Sequence, residues 1–576
     1  VPEDPDQPRH FPPPGELISQ EPDPAPAPSS APDWIREEAV FELSDTAREA
    51  ENSHHPPATW FRRLAGAGND YRLTRFMLLR FTGLVYLVAF LVAAQQLIPL
   101  VGENGLLPAP LMVERVVGQL GSPVAAFEKV PSLFWFRCSD ATIQAVTWSG
   151  VALSLLVMIG FANVPMLLLM WALYLSLLPI GQDFMGYGWD IQMLETGFLA
   201  IFLAPLLDPR PFPARPPSII IIFLYRWLIF RIMLGAGLIK LRGDGVWSFR
   251  ELSALFYHYE TQPVPNPLSR LLHFAPPWFH KAGVLWNHFI ELVAPWFAFF
   301  PRTFRHVAGV LMAGFQIILI FSGNLSFLNW LTIIPCLACF DDSFWRRMLP
   351  AWIVRRAEGR AENTPRSDVR GVITLTFAFI VAWLSMGPVR NLLSSRQAMN
   401  NSFDRFHLVN TYGAFGSVDK ERFEIVFEGT TDAVPEALAE WREYDFKAKP
   451  GNPMRRPPVI TPYHYRLDWE TWFPWSTPGL GRQGWLPHFI WKLLHNDPGT
   501  LSLLSGNPFP EQPPTYIRAV LYRYKFAPPG NAEGAWWTRE RVRVFIAPLS
   551  KDDPKLLQIL QANGWLKTDG GLAPSI

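Results

Sequence analysis

The amino-acid sequence predicts an α-helical multi-pass membrane bundle of about eight or nine spans, followed by a mostly-β soluble C-terminal domain. Three observations carry that prediction. Charged residues make up 18% of the chain, against about a quarter in average globular proteins, and they thin out between residues 76 and 340. Apolar runs near the ~20 residues that a bilayer core requires recur through that stretch. Beyond residue 390 the pattern changes to short alternating or β-branched runs bounded by Gly and Pro.

Residues 1–58 are dominated by Pro and acidic residues. Such a segment buries too little apolar area to offset its chain entropy, which predicts a disordered tail, with residues 34–52 as its one helical candidate. The first 60 residues contain no apolar core of the signal-peptide kind. Residues 59–389 form the predicted transmembrane domain. Candidate spans lie at 76–100, 141–161, 163–180, 191–207, 218–240, 283–301, 305–321, 325–340 and 371–389; the runs at 163–180 and 325–340 are also compatible with re-entrant segments. Arg62, Arg63, Arg72 and Arg75 precede the first span and place the N-terminus in the cytoplasm. Loop 341–370, with Arg346, Arg347, Arg355, Arg356, Arg360, Arg366 and Arg370, falls on the same side, whereas loops 181–190 and 322–324 are poor in Lys and Arg. Nine spans then put residues 390–576 on the non-cytoplasmic side; an even count would put them inside. The outer loop, 241–282, contains two stretches that read as short interfacial helices, SFRELSALFYHY and PLSRLLHF. The 24 Trp and 43 Phe suit long membrane interfaces.

In the C-terminal domain, 390–576, RFEIVFEGT, EYDFKAKP, AVLYRYKFA and RVRVFIAP read as strands, interrupted by helices near 484–506 and 553–563. No cysteine follows Cys339, so this domain holds no disulfide. Cys336 and Cys339 form C-x-x-C at the end of an apolar span and read as buried small hydrophobes.

A net charge of +1 argues against nucleic acid as a partner and leaves the lipid bilayer as the first one. Chemistry is sought among the charges inside the apolar region. Glu195, Arg226, Arg231, His288 and Glu291 form an intramembrane polar cluster with Lys240. It reads either as ion pairs that order the helices or as a functional pocket. Lys240, in GAGLIKLRGDG, is a base if desolvated and an interfacial anchor if it snorkels. His288 and Glu291 share a helix face, but no Cys or second nearby His joins them, so no metal is assigned. No P-loop, HExxH or GxSxG motif is present, and the sequence does not identify a cofactor.

Long strings carry a resemblance: WDIQMLETGFLAIFLAP (189–205), RWLIFRIMLGAGLIKLRGD (226–244), HYETQPVPNP (258–267), NHFIELVAPWF (287–297), SGNLSFLNWLTIIPCLACFDD (322–342), NTYGAFGSV (410–418), EYDFKAKPG (443–451) and RRPPVITPYHYRLDW (455–469). Over most of residues 70–555 the chain resembles the lipase maturation factor family. That resemblance implies a membrane-resident factor of the secretory pathway. Eukaryotic members sit in the endoplasmic reticulum and help dimeric secreted lipases fold and assemble; a bacterial member would sit in the cytoplasmic membrane. Their C-terminal domain faces the lumen and engages the client. The client expected by resemblance is a lipase, with Tyr412, Phe415, Arg455, Arg456, Tyr463, Tyr465 and Trp469 as contact residues; the alternative for YHYRLDW is a packed strand and turn. The stretch ending at Lys240, with Asp244 and Trp247, is similar to a motif of the multi-helix module of vitamin K-dependent carboxylases. There the corresponding Lys is a base. This implies an alternative, a membrane enzyme with Lys240 as base and His258, Glu260 and His288 as proton partners.

Overall fold

The computed structural model describes residues 70–359, 368–435, 438–476, 479–480 and 483–566. The tail expected over 1–58, its candidate helix at 34–52, and Arg62, Arg63, Arg360 and Arg366 lie outside them. The described residues belong to one compact unit, Phe61–Ile576.

Among the described residues, six helices are long and apolar enough to cross a membrane. They are α1 (Arg72–Val101), α4 (Asp140–Ile159), α5 (Val164–Gly181, extended to Met185 by a 3-10 turn), α7 (Ile219–Arg242), α11 (Arg302–Ser322) and α15 (Asp368–Leu384, continued by α16, Met386–Leu393). Between the first two, α2 (Ala109–Leu120) and α3 (Pro123–Lys129) form a short excursion. α7 is the most enclosed, with 72% of its most apolar window buried against 28% for the last span. This matches a helix apolar on every side, which belongs at the centre of a bundle.

Three of the nine expected spans are not such helices. Residues 191–207 are helical only within α6 (Gly188–Ile201), 14 residues or about 21 Å, against a ~30 Å core. Residues 325–340 give α12 (Leu328–Leu337), 10 residues containing Pro335 and only about 15 Å long. Residues 283–301 begin in α10 (Pro277–His288), pass through a π-helical turn (Phe289–Val293) and end in a 3-10 segment (Ala294–Phe299). Pro295 has no N–H to offer the Glu291 carbonyl, so an α-helix cannot continue there. Apolar length counted along the sequence does not register these interruptions. The expectation for 163–180 resolves as a full-length helix.

Contacts at the helix ends define two faces. On the first, Arg72 Nη1 and Arg75 Nη1 donate to the carbonyls of Ala214 and Arg215 at 2.5 and 2.7 Å, Ala162 N to Pro209 O, and Arg302 and Arg305 pair with Asp341. The start of α1 has no cap of its own. Asp342, far along the chain, accepts from the N–H groups of Arg72, Leu73 and Thr74 at 2.9, 2.9 and 3.2 Å and satisfies the orphan donors of that terminus. On the opposite face lie residues 95–107, 182–190, the loop 243–288 and the C-terminal region. The three short elements run between the same two faces. Tyr187, beside α6, bonds Glu470 while Phe202 O meets Arg370. His288 meets Trp247 O while Phe299 packs on Phe223. Ser326 O meets Thr461 while Ala338 O meets Arg226.

The loop 243–288 is helical in α8 (Ala254–Thr261), α9 (Pro267–His273) and α10, the first two in line with the interfacial helices expected there. On the first face, α13 (Asp342–Met348) and α14 (Ala351–Glu358) connect α12 to the last span.

The C-terminal region contains a four-stranded antiparallel sheet, β1 (Arg422–Thr430), β2 (Arg442–Tyr444), β3 (Tyr516–Phe526) and β4 (Trp537–Leu549), in the order β2-β1-β3-β4. Val426 faces Val520, and Val520 faces Val544. Three of the four expected strands form largely as read, but EYDFKAKP contributes only Glu443 and Tyr444 to β2 before turning into coil. The rest of this region is loops and short helices, α17 (Arg466–Glu470), α18 (Leu486–Leu493), α19 (Pro498–Ser502) and α20 (Pro554–Ala562), so it is less β-rich than the alternation predicts. Its apolar core is continuous with that of the helices: Trp485 packs on Phe184 and Phe489, and all three are buried.

Candidate functional site

The charges singled out by the sequence are buried, and most converge where the helices meet the C-terminal region. Glu195 on α6 pairs with Arg231 on α7, each 2% exposed. The same carboxylate accepts from the Tyr412 hydroxyl at 2.7 Å and from Asn410 N and Nδ2 at 3.0 and 3.1 Å. Arg231 also donates to Asn410 O at 2.7 Å. Segment 410–412 is thereby threaded between two membrane helices. Gly235 permits the approach, since a Cβ there would overlap the Tyr412 carbonyl oxygen.

About two and a half turns past Arg231 on α7, Lys240 Nζ donates to both Glu291 oxygens at 2.5 and 2.7 Å, with Asn287 Nδ2 donating to the same carboxylate at 2.8 Å. The ammonium lies 5.0 Å from the Trp247 ring centroid, a cation–π distance. His288 Nε2 meets the Trp247 carbonyl at 2.7 Å. Glu291 sits on the π-helical turn, which swings its side chain toward α7. Asp244 accepts from Val418 N at 3.1 Å and joins this knot to the C-terminal region.

His258 is buried and packs edge-on to Phe415 at 4.8 Å. Burial and the nearby Lys240 charge lower its imidazole to about 4. Glu260 turns away from Lys240: it accepts from Phe526 N at 2.8 Å and lies 3.5 Å from His273 Nε2. Burial raises its carboxyl above the ordinary range. Lys240, Glu291 and His288 are thus gathered around Trp247, while Glu260 belongs to the sheet. Among the described residues no carboxylate pairs with Arg226; it donates to Ala338 O and to the Tyr71 hydroxyl, both at 2.9 Å.

The residues expected to meet a client divide. Tyr412 and Trp469 are buried, the latter against Trp189 at 4.9 Å. Arg455 donates to the Phe446 and Lys449 carbonyls, both at 2.6 Å. Tyr463 bonds Gln95 at 2.7 Å. Phe415, partly buried, packs on His258. Tyr465 is partly exposed and Arg456 exposed.

Sequence reasoning missed one fully buried ion pair of the seam. Arg466, fully buried on α17, meets Asp190 on α6 at 3.3 Å and donates to Phe184 O at 2.5 Å; Asp190 also accepts from the Tyr174 hydroxyl at 2.6 Å. Arg422 on β1 was likewise missed. It pairs with Glu424 and donates to the carbonyls of Glu260, Gln262 and Pro263. Arg466 lies in YHYRLDW and Arg422 opens the strand RFEIVFEGT; apart from Glu424, two residues from Arg422, the partners named here are more than 150 residues away. Cys336 and Cys339 are free and fully buried, as read. Among the described residues, no group of three or more His, Cys, Asp or Glu side chains is placed to hold a metal ion.

Buried pairs of this kind are costly to break and hold two parts of a chain in one arrangement. They define a polytopic membrane protein whose helices and C-terminal region are joined through its polar interior. Residues 73–347 match the family model described as the lipase maturation factor transmembrane domain, and residues 408–547 match the lipase maturation factor C-terminal domain. The chain belongs to the lipase maturation factor family. It is 46% identical to lipase maturation factor 1 of Bos taurus over 505 residues, covering 84% of this chain and 90% of the relative. It is 43% identical to the Homo sapiens protein of that name over 518 residues, covering 86% and 90%. Lipase maturation factor 2 of Xenopus laevis is 31% identical over 617 residues, covering 86% of this chain and 85% of the relative. No solved structure matches the chain.

Proposed function

We propose that this protein is a membrane-resident factor that assists the folding or assembly of an exported protein, with a lipase-type client. The observation that carries the reading is its relationship to lipase maturation factor 1 across 84–86% of the chain and 90% of those relatives, spanning both family regions. In this reading the membrane is traversed nine times, six by full-length helices and three by the short elements. The basic residues Arg72, Arg75 and Arg370 mark the cytoplasmic face, so the C-terminal region lies on the other side. Residues 390–576 then act as a domain presented to the client, which meets their exposed surface near Tyr465 and along β4, one of the two outer strands of the sheet. An edge strand offers unpaired backbone groups to a client that is not yet folded. The ion pairs at the seam hold that surface at a set position on the membrane.

The test is expression in cells lacking their own lipase maturation factor, together with a secreted lipase. Active dimeric lipase in the medium should rise several-fold over cells carrying an empty vector. If the chain reaches the membrane at normal abundance and secreted activity does not change, the reading is overturned.

A further inference from the structure

We infer that the cavity between α9 and the β3–β4 turn binds an anionic phospholipid of the surrounding bilayer, with its phosphate on Arg456 and its acyl chains against α9 and α11. The cavity holds about 330 Å³ and is lined by Pro267, Leu268, Arg270, Leu271, Arg456, Pro529 and Trp536. Its two cations differ. The Arg270 guanidinium is engaged, donating to the Ala527, Pro528 and Ala535 carbonyls at 2.8, 2.9 and 3.1 Å while lying 4.6 Å from the Trp536 ring centroid. Arg456 approaches the same ring at 5.7 Å and is exposed. Among the described residues no carboxylate or carbonyl accepts from it. No acid lines the cavity to offset the two charges.

The apolar side faces lipid. Leu268 and Leu271, three apart on α9, are 38% and 58% exposed, and Phe274 and Trp278 continue the row at 42% and 69%. This row begins where the lipid-facing side of α11 ends: Asn266, the cap of α9, donates to the Phe321 carbonyl at 2.9 Å. Phe321 itself is 62% exposed, with Ile317 and Ile318 behind it at 46% and 52%. An unpaired guanidinium at the rim of a continuous apolar belt complements an amphiphile with an anionic head. Trp536 and Trp278 are the residue type that settles at headgroup depth. A soluble anion would use the cation but not the apolar wall.

The experiment is native mass spectrometry of the full chain, purified in mild detergent and supplied with equal amounts of phosphatidylglycerol and phosphatidylcholine. The wild type should retain phosphatidylglycerol in preference, and Arg456→Gln should lower that retention about tenfold. Arg456→Lys should keep an intermediate level, and Leu271→Glu should abolish retention by setting a like charge against the headgroup. Among the described residues Arg456 makes no hydrogen bond, so Arg456→Gln should unfold at the wild-type temperature in lipid-free detergent. Equal retention of the two lipids by the wild type, or unchanged phosphatidylglycerol retention by Arg456→Gln, would overturn the assignment.

Discussion

Replacing Glu195 with Ala removes the acceptor at the centre of the seam. Arg231 stays buried at 2% exposure, with Asn410 O as its remaining hydrogen-bond acceptor. The Tyr412 hydroxyl and both Asn410 donors lose an acceptor they met at 2.7 to 3.1 Å. Breaking one side of a buried ion pair costs about 3–5 kcal/mol, because the surviving charge has neither partner nor water. We expect a loss of about 4 kcal/mol in the unfolding free energy of the detergent-solubilised chain, measured by denaturant titration with Trp fluorescence. Removing both charges, as in Glu195→Ala with Arg231→Met, leaves only the orphaned hydroxyl and amide donors. That double variant should lose about 1–2 kcal/mol, less than the single one. The comparison isolates the pair, since general damage to packing would make the double variant worse than either single change. Losses that add, or a Glu195→Ala cost below about 1 kcal/mol, would refute the view that this pair fastens segment 410–412 to the membrane helices.

Glu470 gives a pH signature. Burial, together with the nearby Asp183 charge, pushes its carboxyl up to about 7 from an ordinary 4.5, although it accepts from the Tyr187 hydroxyl. The folded state therefore holds the proton more tightly than the unfolded chain. The stability this group contributes is complete below pH ~4.5 and lost as pH rises through about 7, a change of about 3 kcal/mol. Glu470→Gln should lack this component, and parallel wild-type and variant pH profiles would exclude the account. Gly235→Ala should push the Tyr412 backbone off α7, at a cost of about 1–3 kcal/mol, and expose residues 394–412 to protease. Gly314→Ala on α11, where a Cβ meets nothing within 4 Å, should leave the digestion pattern unchanged. Lys240→Met should destabilise more than Lys240→Met combined with Glu291→Leu, because the single change strands a buried carboxylate. A Lys240→Met protein with full stability that no longer supports client maturation would instead point to chemistry at Lys240.

The membrane architecture was legible along the chain because a bilayer requires runs of apolar residues, and runs are local. α1, α4, α5, α7, α11 and α15 announce themselves in this way, and β1, β3 and β4 do so by alternation. The intramembrane charges were equally visible, since a charge at that depth stands out against its neighbours. Their pairing was only partly legible. Glu195 with Arg231 and Lys240 with Glu291 join opposite signs on neighbouring segments, whereas Arg226 turned to a backbone carbonyl that no sequence pattern marks. Tertiary structure alone decided the capping of α1 by Asp342 and the pairing of Asp190 with Arg466. Each depends on which groups meet across long stretches of chain. Apolar periodicity records how much surface a segment must hide, while a buried hydrogen bond needs a particular partner at about 3 Å, and only the folded chain supplies one.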